Sequence, residues 1–287
     1  MLFAIGILVV IGSILGGYIG VGGHLAVLIQ PFELLIIGGA AVGSFILGNP
    51  KKVILGVFRN IGRVVSGAKH DKDSYLELLM MLFTVFRLAK TKGDLALESH
   101  VEKPEQSDLF KKFPTFFKDR QALMFFCDYL RLLTMGSSNP HEVEAVIDEE
   151  IATIREEWHS ISGSISTMAD AMPALGIVAA VLGVIHTMGS ISEPPEVLGH
   201  LIGAALVGTF LGVLMSYGFV GPIGNKLEKV FDDDLRYYHV MKAALLAHMQ
   251  GYAPQIAVEF GRKILPEDVR PTFQEVENKM ASAPTDG

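Results

Sequence analysis

Four stretches of the chain are apolar almost without interruption: about Leu2–Gly22, about Leu25–Leu47 with only Glu33 inside it, the stretch between Asp170 and Met188, and about Leu198–Val220. A hydrocarbon core about 30 Å thick is crossed by roughly 20 apolar residues of helix, so the pattern predicts four membrane-spanning helices. Between the second and third, the pattern becomes periodic. Val143, Ile147, Ile151, Ile154, Trp158 and Ile161 recur every three or four residues among Glu, Asp and Arg, which predicts an amphipathic helix. Leu78 to Phe86 is apolar throughout, yet about nine residues cannot cross a bilayer, so this run is a buried or an interfacial helix. Strand and hairpin signals are few. The expected architecture is an all-α integral membrane protein in four parts. Residues 1–50 carry helices 1 and 2, 51–170 form a cytoplasmic helical domain, 171–225 carry helices 3 and 4, and 226–287 form a cytoplasmic C-terminal helix and tail, small and polar from about Met280.

Charge follows the same division. Residues 1–50 hold one acidic side chain and no Lys or Arg, residues 171–225 hold two Glu and no Lys or Arg, and all 24 basic residues lie in 51–170 and 226–287. Cytoplasmic flanks collect Lys and Arg, so both basic-bearing blocks belong inside the cell, with Lys51, Lys52, Lys226 and Lys229 as anchors and both termini cytoplasmic. The first span has no basic segment before it and a second span follows almost at once, so it reads as a membrane helix rather than a cleaved signal peptide. With 50% apolar residues the composition excludes intrinsic disorder. The single Cys127 excludes a secreted disulfide scaffold, and the acidic balance within the basic blocks excludes a nucleic-acid binder.

Small residues mark faces for close helix contact. Gly12, Gly16 and Gly20 form one stripe at four-residue spacing, and Ala204, Gly208 and Gly212 another. Ala179 with Gly183, and Gly176 with Ala180, repeat the spacing in the third span. Helices in lipid associate through such faces, although small residues are also simply common in membrane spans. If they are contact faces, they call for more neighbours than one four-helix chain supplies, hence a homo-oligomer. Pro173 and Pro222 sit at the cytoplasmic mouths. Inside a helix each frees a carbonyl four residues back, on Ala169 and Gly218; alternatively Asp170 caps the third helix and Pro173 lies in its first turn.

The polar blocks carry no phosphate-binding glycine loop, clustered Cys and His ligands or nucleophile signature, so neither an enzyme nor a cofactor is indicated. His141-Glu142-Val143-Glu144 has metal-ligand types, but its apolar neighbours at helical spacing make it a solvated helix face. Within the bilayer the polar groups are Glu33, His186, Thr187, Thr209 and Ser216. Glu33 is either an interhelical or interfacial hydrogen-bonding group or a proton relay, and the third and fourth spans hold no carboxylate. If protons cross, the group that carries them belongs to a partner chain.

At the fourth span the pattern becomes specific. Ala205-Leu206-Val207-Gly208-Thr209-Phe210-Leu211-Gly212-Val213-Leu214, followed after seven residues by Pro222, resembles the signature of the MotA family of flagellar motor stator subunits. Gln30-Pro31-Phe32-Glu33-Leu34, Asp148-Glu149-Glu150, Pro173 to Ala180, and Gly251-Tyr252-Ala253-Pro254 through Lys263 extend the resemblance over nearly the whole chain. It implies a pentamer around a dimer of a MotB-like, one-span, peptidoglycan-binding partner whose transmembrane Asp binds the proton. It also implies that Asp170, Pro173, Ala180, Thr209 and Pro222 belong to the proton pathway and its coupling to torque. Lys90 and Glu98 would face the rotor protein FliG, with Lys90 where the best-known members carry Arg, a change that keeps charge but loses the planar bidentate fork. Ala180 stands where sodium-type relatives carry Thr, which points to protons. The related TolQ and ExbB energisers have three spans and form the runner-up. A self-contained solute transporter would need inverted repeats and a polar substrate site, and neither is visible.

Overall fold

The computed structural model describes residues 2–136 and 139–281. Fourteen α-helices and no strand occur among them. Four helical runs are long and apolar enough to cross a membrane: Leu2–Gly20, Leu25–Gly48, Pro140–Gly189 and Pro195–Met249. Of the small polar tail expected from Met280, only Met280 and Ala281 are described, as the end of the last helix; the rest lies outside the described residues.

Contacts divide the chain into two units, residues 1–67 with 156–231, and residues 68–155 with 232–287. In the first unit, α1 (Leu2–Gly20) buries no residue, as expected of a helix whose sides meet lipid. The second span does not begin as one helix. Leu25–Leu28 form a 3-10 turn, and α2 (Pro31–Gly48) starts with Pro31 in its first turn. Proline needs no hydrogen-bond acceptor there, while it disfavours helical geometry at Gln30. This start puts Glu33 in the first turn of α2, where the helix dipole favours a negative charge. Next come α3 (Lys51–Asn60) and α4 (Arg63–Ser66).

The third and fourth spans belong to much longer helices. α10 (Pro140–Gly189) is continuous for 50 residues, with Pro173 inside it. α11 (Pro195–Val213) passes through a π-helical segment, Leu214–Val220, directly into α12 (Gly221–Met249). Two apolar clusters hold the first unit together. Ile37 and Ala41 of α2 pack with Met172 and Ala179 of α10, and Val64, Ile165, Leu227 and Phe231 form the second cluster.

The second unit is built on α5 (Lys72–Lys92), whose Leu78, Leu79, Met81, Leu82, Val85 and Phe86 are fully buried. The apolar run from Leu78 to Phe86 is therefore a core helix and not an interfacial one. The short helices α6 (Glu98–Glu102), α7 (Asp108–Lys111) and α8 (Pro114–Lys118) lead to α9 (Arg120–Thr134). Phe126 of α9 meets Phe86 and Phe116 edge-on, at ring-centre distances of 6.5 and 6.1 Å. α13 (Pro254–Lys263) and α14 (Phe273–Ala281) pack on α5. The expected amphipathic segment buries Val143, Ile147, Ile151 and Ile154. Its opposite face is solvated, and Glu144 and Asp148 pair with Lys242 at 3.1 and 2.7 Å.

Candidate functional site

Along 162–183 of α10 and 205–224 of the helix facing it, the two backbones lie nearly in contact, because the facing positions carry almost no side chain. A Cβ added to Gly176 would lie 2.9 Å from the Gly208 carbonyl oxygen and 3.0 Å from Gly212 Cα. One added to Gly212 would lie 2.7 Å from the Met172 carbonyl oxygen. Gly183 meets Ala205, and Gly224 meets Ser166, in the same way. Such approach replaces side-chain packing with backbone dispersion and small-residue fit. Three of the four small-residue sets, Ala204-Gly208-Gly212, Gly176-Ala180 and Ala179-Gly183, therefore have neighbours within this chain, contrary to the expectation that they call for other subunits. Gly12, Gly16 and Gly20 of α1 have nothing within 4 Å of an added Cβ and keep an open face.

One crossing on this seam brings together three of the residues that the sequence singles out. Glu33 Oε2 lies 2.9 Å from the position a Gly208 Cβ would take, and the Ala180 backbone nitrogen lies 3.2 Å from the same point. Thr209 follows Gly208, with its Cα 3.3 Å from the corresponding point on Gly176. Oε2 of Glu33 is buried and has no hydrogen-bond partner. Glu33 of α2 and Ala180 of α10 therefore meet at Gly208 of α11, with Thr209 next in the chain, and the Glu33 carboxylate is the polar group that enters this part of an apolar seam.

A second level lies further along the seam. Pro173 is interior to α10, so it withholds an N–H from the Ala169 carbonyl. The alternative in which Asp170 caps a new helix is thereby excluded, and Asp170 is an exposed mid-helix residue. On the facing helix, Pro222 lacks the N–H that an α-helix would direct to Gly218. The chain accommodates this by widening its turns before the proline: Gly221 N–H bonds to the Ser216 carbonyl, five residues back. Ser216 itself is 1% exposed, and its hydroxyl has no partner. Its carbonyl oxygen and the Ala169 Cβ lie 3.0 and 3.9 Å from a Cβ added to Gly221, so the two proline-disturbed turns face each other. π-bulges of this kind recur at functional sites. Sequence reasoning ranked Ser216 only among the available hydroxyls and missed the π segment, whose one local signal is Pro222. Of the other bilayer polar groups, Thr187 donates its hydroxyl to the Gly183 carbonyl at 2.8 Å, and His186 is exposed. The two levels are distinct: seven residues of helix, about 10 Å at 1.5 Å per residue, separate Pro173 from Ala180.

Lys90 and Glu98 lie in the second unit, both exposed. Lys90 is in the last turn of α5 and Glu98 opens α6, each at the helix end that favours its charge. Gly93, at φ 84°, turns the chain between them, and Leu97 and Val101 are each 1% exposed and anchor the segment beneath. Nearby helices are tied by buried polar pairs that the sequence did not reveal. His70 stacks on Tyr237 at 3.7 Å and places Nε2 3.4 Å from Asp119. Glu150 accepts the Tyr129 hydroxyl at 2.6 Å, so part of the Asp148-Glu149-Glu150 run is structural.

Comparison with known proteins gives concordant results. Residues 4–93 match the profile of the motility protein A N-terminal domain, and residues 118–239 that of the MotA/TolQ/ExbB proton channel family. Motility protein A of Salmonella typhimurium is 43% identical over 280 residues, covering 98% of this chain and 95% of the relative. Chemotaxis protein LafT of Vibrio parahaemolyticus is 35% identical over 277 residues, covering 96% and 97%. Among solved structures, C. jejuni MotAB aligns with a TM-score of 0.74 over 94% of this chain and 98% of that one, at 20% identity. The flagellar MotAB stator complex of Bacillus subtilis aligns with a TM-score of 0.67 over 91% and 93%, at 25% identity. A four-span helical chain with a close small-residue seam, matched from end to end by these relatives, belongs to the motility protein A family.

Proposed function

We propose that the chain is the stator subunit of a bacterial flagellar motor, in the inner membrane with both termini cytoplasmic, and that it turns ion flow into torque on the rotor. The carrying observation is the seam itself. It brings a buried unpartnered Glu33 oxygen, the buried Ser216 hydroxyl and two proline-disturbed turns to one helix pair, yet neither α10 nor α11 has a carboxylate at the crossing. The titratable group comes from a MotB-like one-span partner, and five copies of this chain surround a dimer of that partner. Each unit charge that crosses releases about 2.3 kcal/mol per 100 mV.

In this reading Ala180 and Thr209 line the path, with Glu33 as its polar neighbour. Asp170, Pro173 and Pro222 form the cytoplasmic end, where protonation of the partner's Asp is coupled to movement. Prolines and a π segment suit that role because turns with missing or shifted hydrogen bonds bend at lower cost than a regular helix. Lys90 and Glu98 meet FliG by long-range attraction, for which an ammonium serves as well as a guanidinium. The energiser alternative is disfavoured, because residues 4–93 match a motility-specific N-terminal domain that includes the first two spans.

Ala180 and the surrounding Gly176, Ala179 and Gly183 offer no side-chain oxygen, so the ion is the proton, which needs only a titratable carboxylate and a water path. Produced with its partner in cells lacking stators, the chain should restore swimming at a speed that follows the proton-motive force. Speed should collapse with a protonophore and ignore replacement of sodium by potassium at constant pH. A motor that stops without sodium and restarts with it would overturn the proton assignment, and failure to restore rotation at all would overturn the stator reading.

A further inference from the structure

The second span passes almost directly into a helix whose outer face is exposed. α2 covers 18 residues, about 27 Å at 1.5 Å per residue, close to the thickness of a hydrocarbon core. Lys51 opens α3 three residues after α2 ends, a reach of at most about 10 Å. A second observation puts α3 and α4 at the same boundary. Val57 and Val64 pack in one cluster with Phe3 near the start of the first span, Ile165 shortly before the third and Val220 at the end of the fourth. One end of each of three spans therefore gathers beside α3, which places this helix at the level of the lipid headgroups.

One side of α3 meets protein. Val53 is buried, and a Cβ added to Gly56 would lie 2.7 Å from Ile161 Cδ1. On the other side Lys51, Leu55, Phe58, Arg59 and Gly62 recur every three or four residues, and all are exposed, Phe58 by 70%. Apolar and cationic groups thus share one face. Residues 49–67 hold four basic side chains and no acidic one. Lys52 is paired with Glu157 and Arg63 stands over the Phe231 ring at 5.5 Å, whereas Lys51 and Arg59 have no ion pair among the described residues. A helix in this setting sinks its apolar groups among acyl chains, while the long stems of Lys and Arg lift their charge to the phosphates.

We propose that the outer face of α3 binds anionic phospholipid of the cytoplasmic leaflet, with Lys51 and Arg59 on headgroup phosphates and Leu55 and Phe58 among the upper acyl-chain carbons. The proposal rests on the inner-membrane reading, with the block after the second span on the cytoplasmic side, and adds a lipid preference to it. Lipid is the occupant because α3 continues a span that is already in the bilayer, and because lipid supplies apolar contact and phosphate at this one level. Anionic lipid is selected because the face carries cations without acids. A zwitterionic headgroup brings an ammonium of its own, whereas an anionic one leaves its phosphate charge unopposed. Arg59 suits that phosphate through its planar fork and Lys51 as a point charge. Each basic residue near such a surface favours anionic lipid about fivefold, hence roughly twentyfold for the pair.

The test uses the complete complex of this chain with its one-span partner, carrying Phe58→Trp and reconstituted into phosphatidylcholine vesicles at low salt. The signal is the fluorescence that the variant adds over its Phe58 parent. Phe58 is exposed, so the larger ring costs the fold little, and gel filtration checks that the complex is intact. Brominated phosphatidylglycerol should quench this signal at a mole fraction roughly twentyfold lower than brominated phosphatidylcholine. The preference should shrink at about 1 M salt, where the screening length falls to about 3 Å. Lys51→Gln together with Arg59→Gln should abolish the preference while quenching by both lipids persists. Millimolar inorganic phosphate should leave the preference in place, since a free ion has no acyl chain to bring Phe58 into contact. Absence of quenching by either lipid would show that protein covers this face, and equal quenching by the two would show lipid contact without headgroup selection; either result overturns the proposal. Quenching needs neither ion flow nor a rotor, so these outcomes are independent of the swimming assay that tests the stator reading.

Discussion

Asp119 combines two roles that nothing near it in the chain announces. Its carboxylate caps α9, accepting the Ala122 N–H at 3.3 Å, and lies 3.4 Å from His70 Nε2 and 3.6 Å from Lys69 Nζ. Burial by itself would raise its pKa, but the hydrogen bond to His70 and the charge of Lys69 outweigh that and hold it at about 2, below the ordinary 3.8. A carboxyl depressed in the folded state favours folding while ionised. Its contribution is complete above pH about 4 and is lost as pH falls through about 2. The shift corresponds to roughly 2 kcal/mol. Asp119→Asn keeps a capping oxygen and deletes the charge, so the purified protein should melt at a lower temperature at pH 7, by a gap that closes between pH 4 and 2. Equal melting at neutral pH would show that the pair adds nothing. His70 and Asp119 escaped sequence reasoning because a contact between residues so far apart in the chain leaves no periodic trace. Glu33 was legible for the opposite reason: one carboxylate in an apolar run stands out at once.

At the scale of elements, the crossing of α10 with α11 turns on which atoms an added methyl would meet. At Gly212 they are backbone atoms, the Met172 carbonyl oxygen at 2.7 Å and Gly176 Cα at 2.8 Å, and neither can move without parting the helices. At Gly208 the nearest is Glu33 Oε2 at 2.9 Å, the end of a flexible side chain, and the remaining neighbours lie at 3.2 Å. Gly212→Ala should therefore cost about 1–3 kcal/mol, as overpacking does, and Gly208→Ala less. Gly208→Leu is too large for the seam and should abolish swimming. Thermal melting in detergent and swimming rate both check this ranking, and a Gly208→Ala variant less stable than Gly212→Ala would contradict the contact geometry. The continuity of α10 through Pro173 was the element that the sequence left undecided. An Asp three residues before a Pro suits a helix start as well as a helix interior. The structure keeps the helix unbroken, with Met172 and Ala179 on either side of the proline buried against α2.

For the whole molecule, the open stripe on α1 is the counterpart of the filled seam. Gly12, Gly16 and Gly20 present a smooth face with no neighbour in this chain, and in lipid such a face gains contact from a second helix. Gly16→Leu should leave the fold of the single chain intact while lowering the yield of assembled complex, as judged by native gel and cross-linking. Unchanged assembly would place that face against lipid.

The number of spans, the helical class and the family are legible in the residue order, because each rests on local composition: length of apolar run, period of polar positions, and residue types at fixed spacing. That order also marks Glu33, Thr209, Pro173 and Pro222 as residues that depart from their surroundings. Tertiary structure alone decided which small faces are filled within the chain, that Glu33 meets Gly208 and Ala180 at one crossing, and that one end of each of three spans gathers beside α3. Those facts depend on where distant segments come to lie, and a small residue, a lone carboxylate or a short basic helix reads the same whether or not another helix arrives beside it.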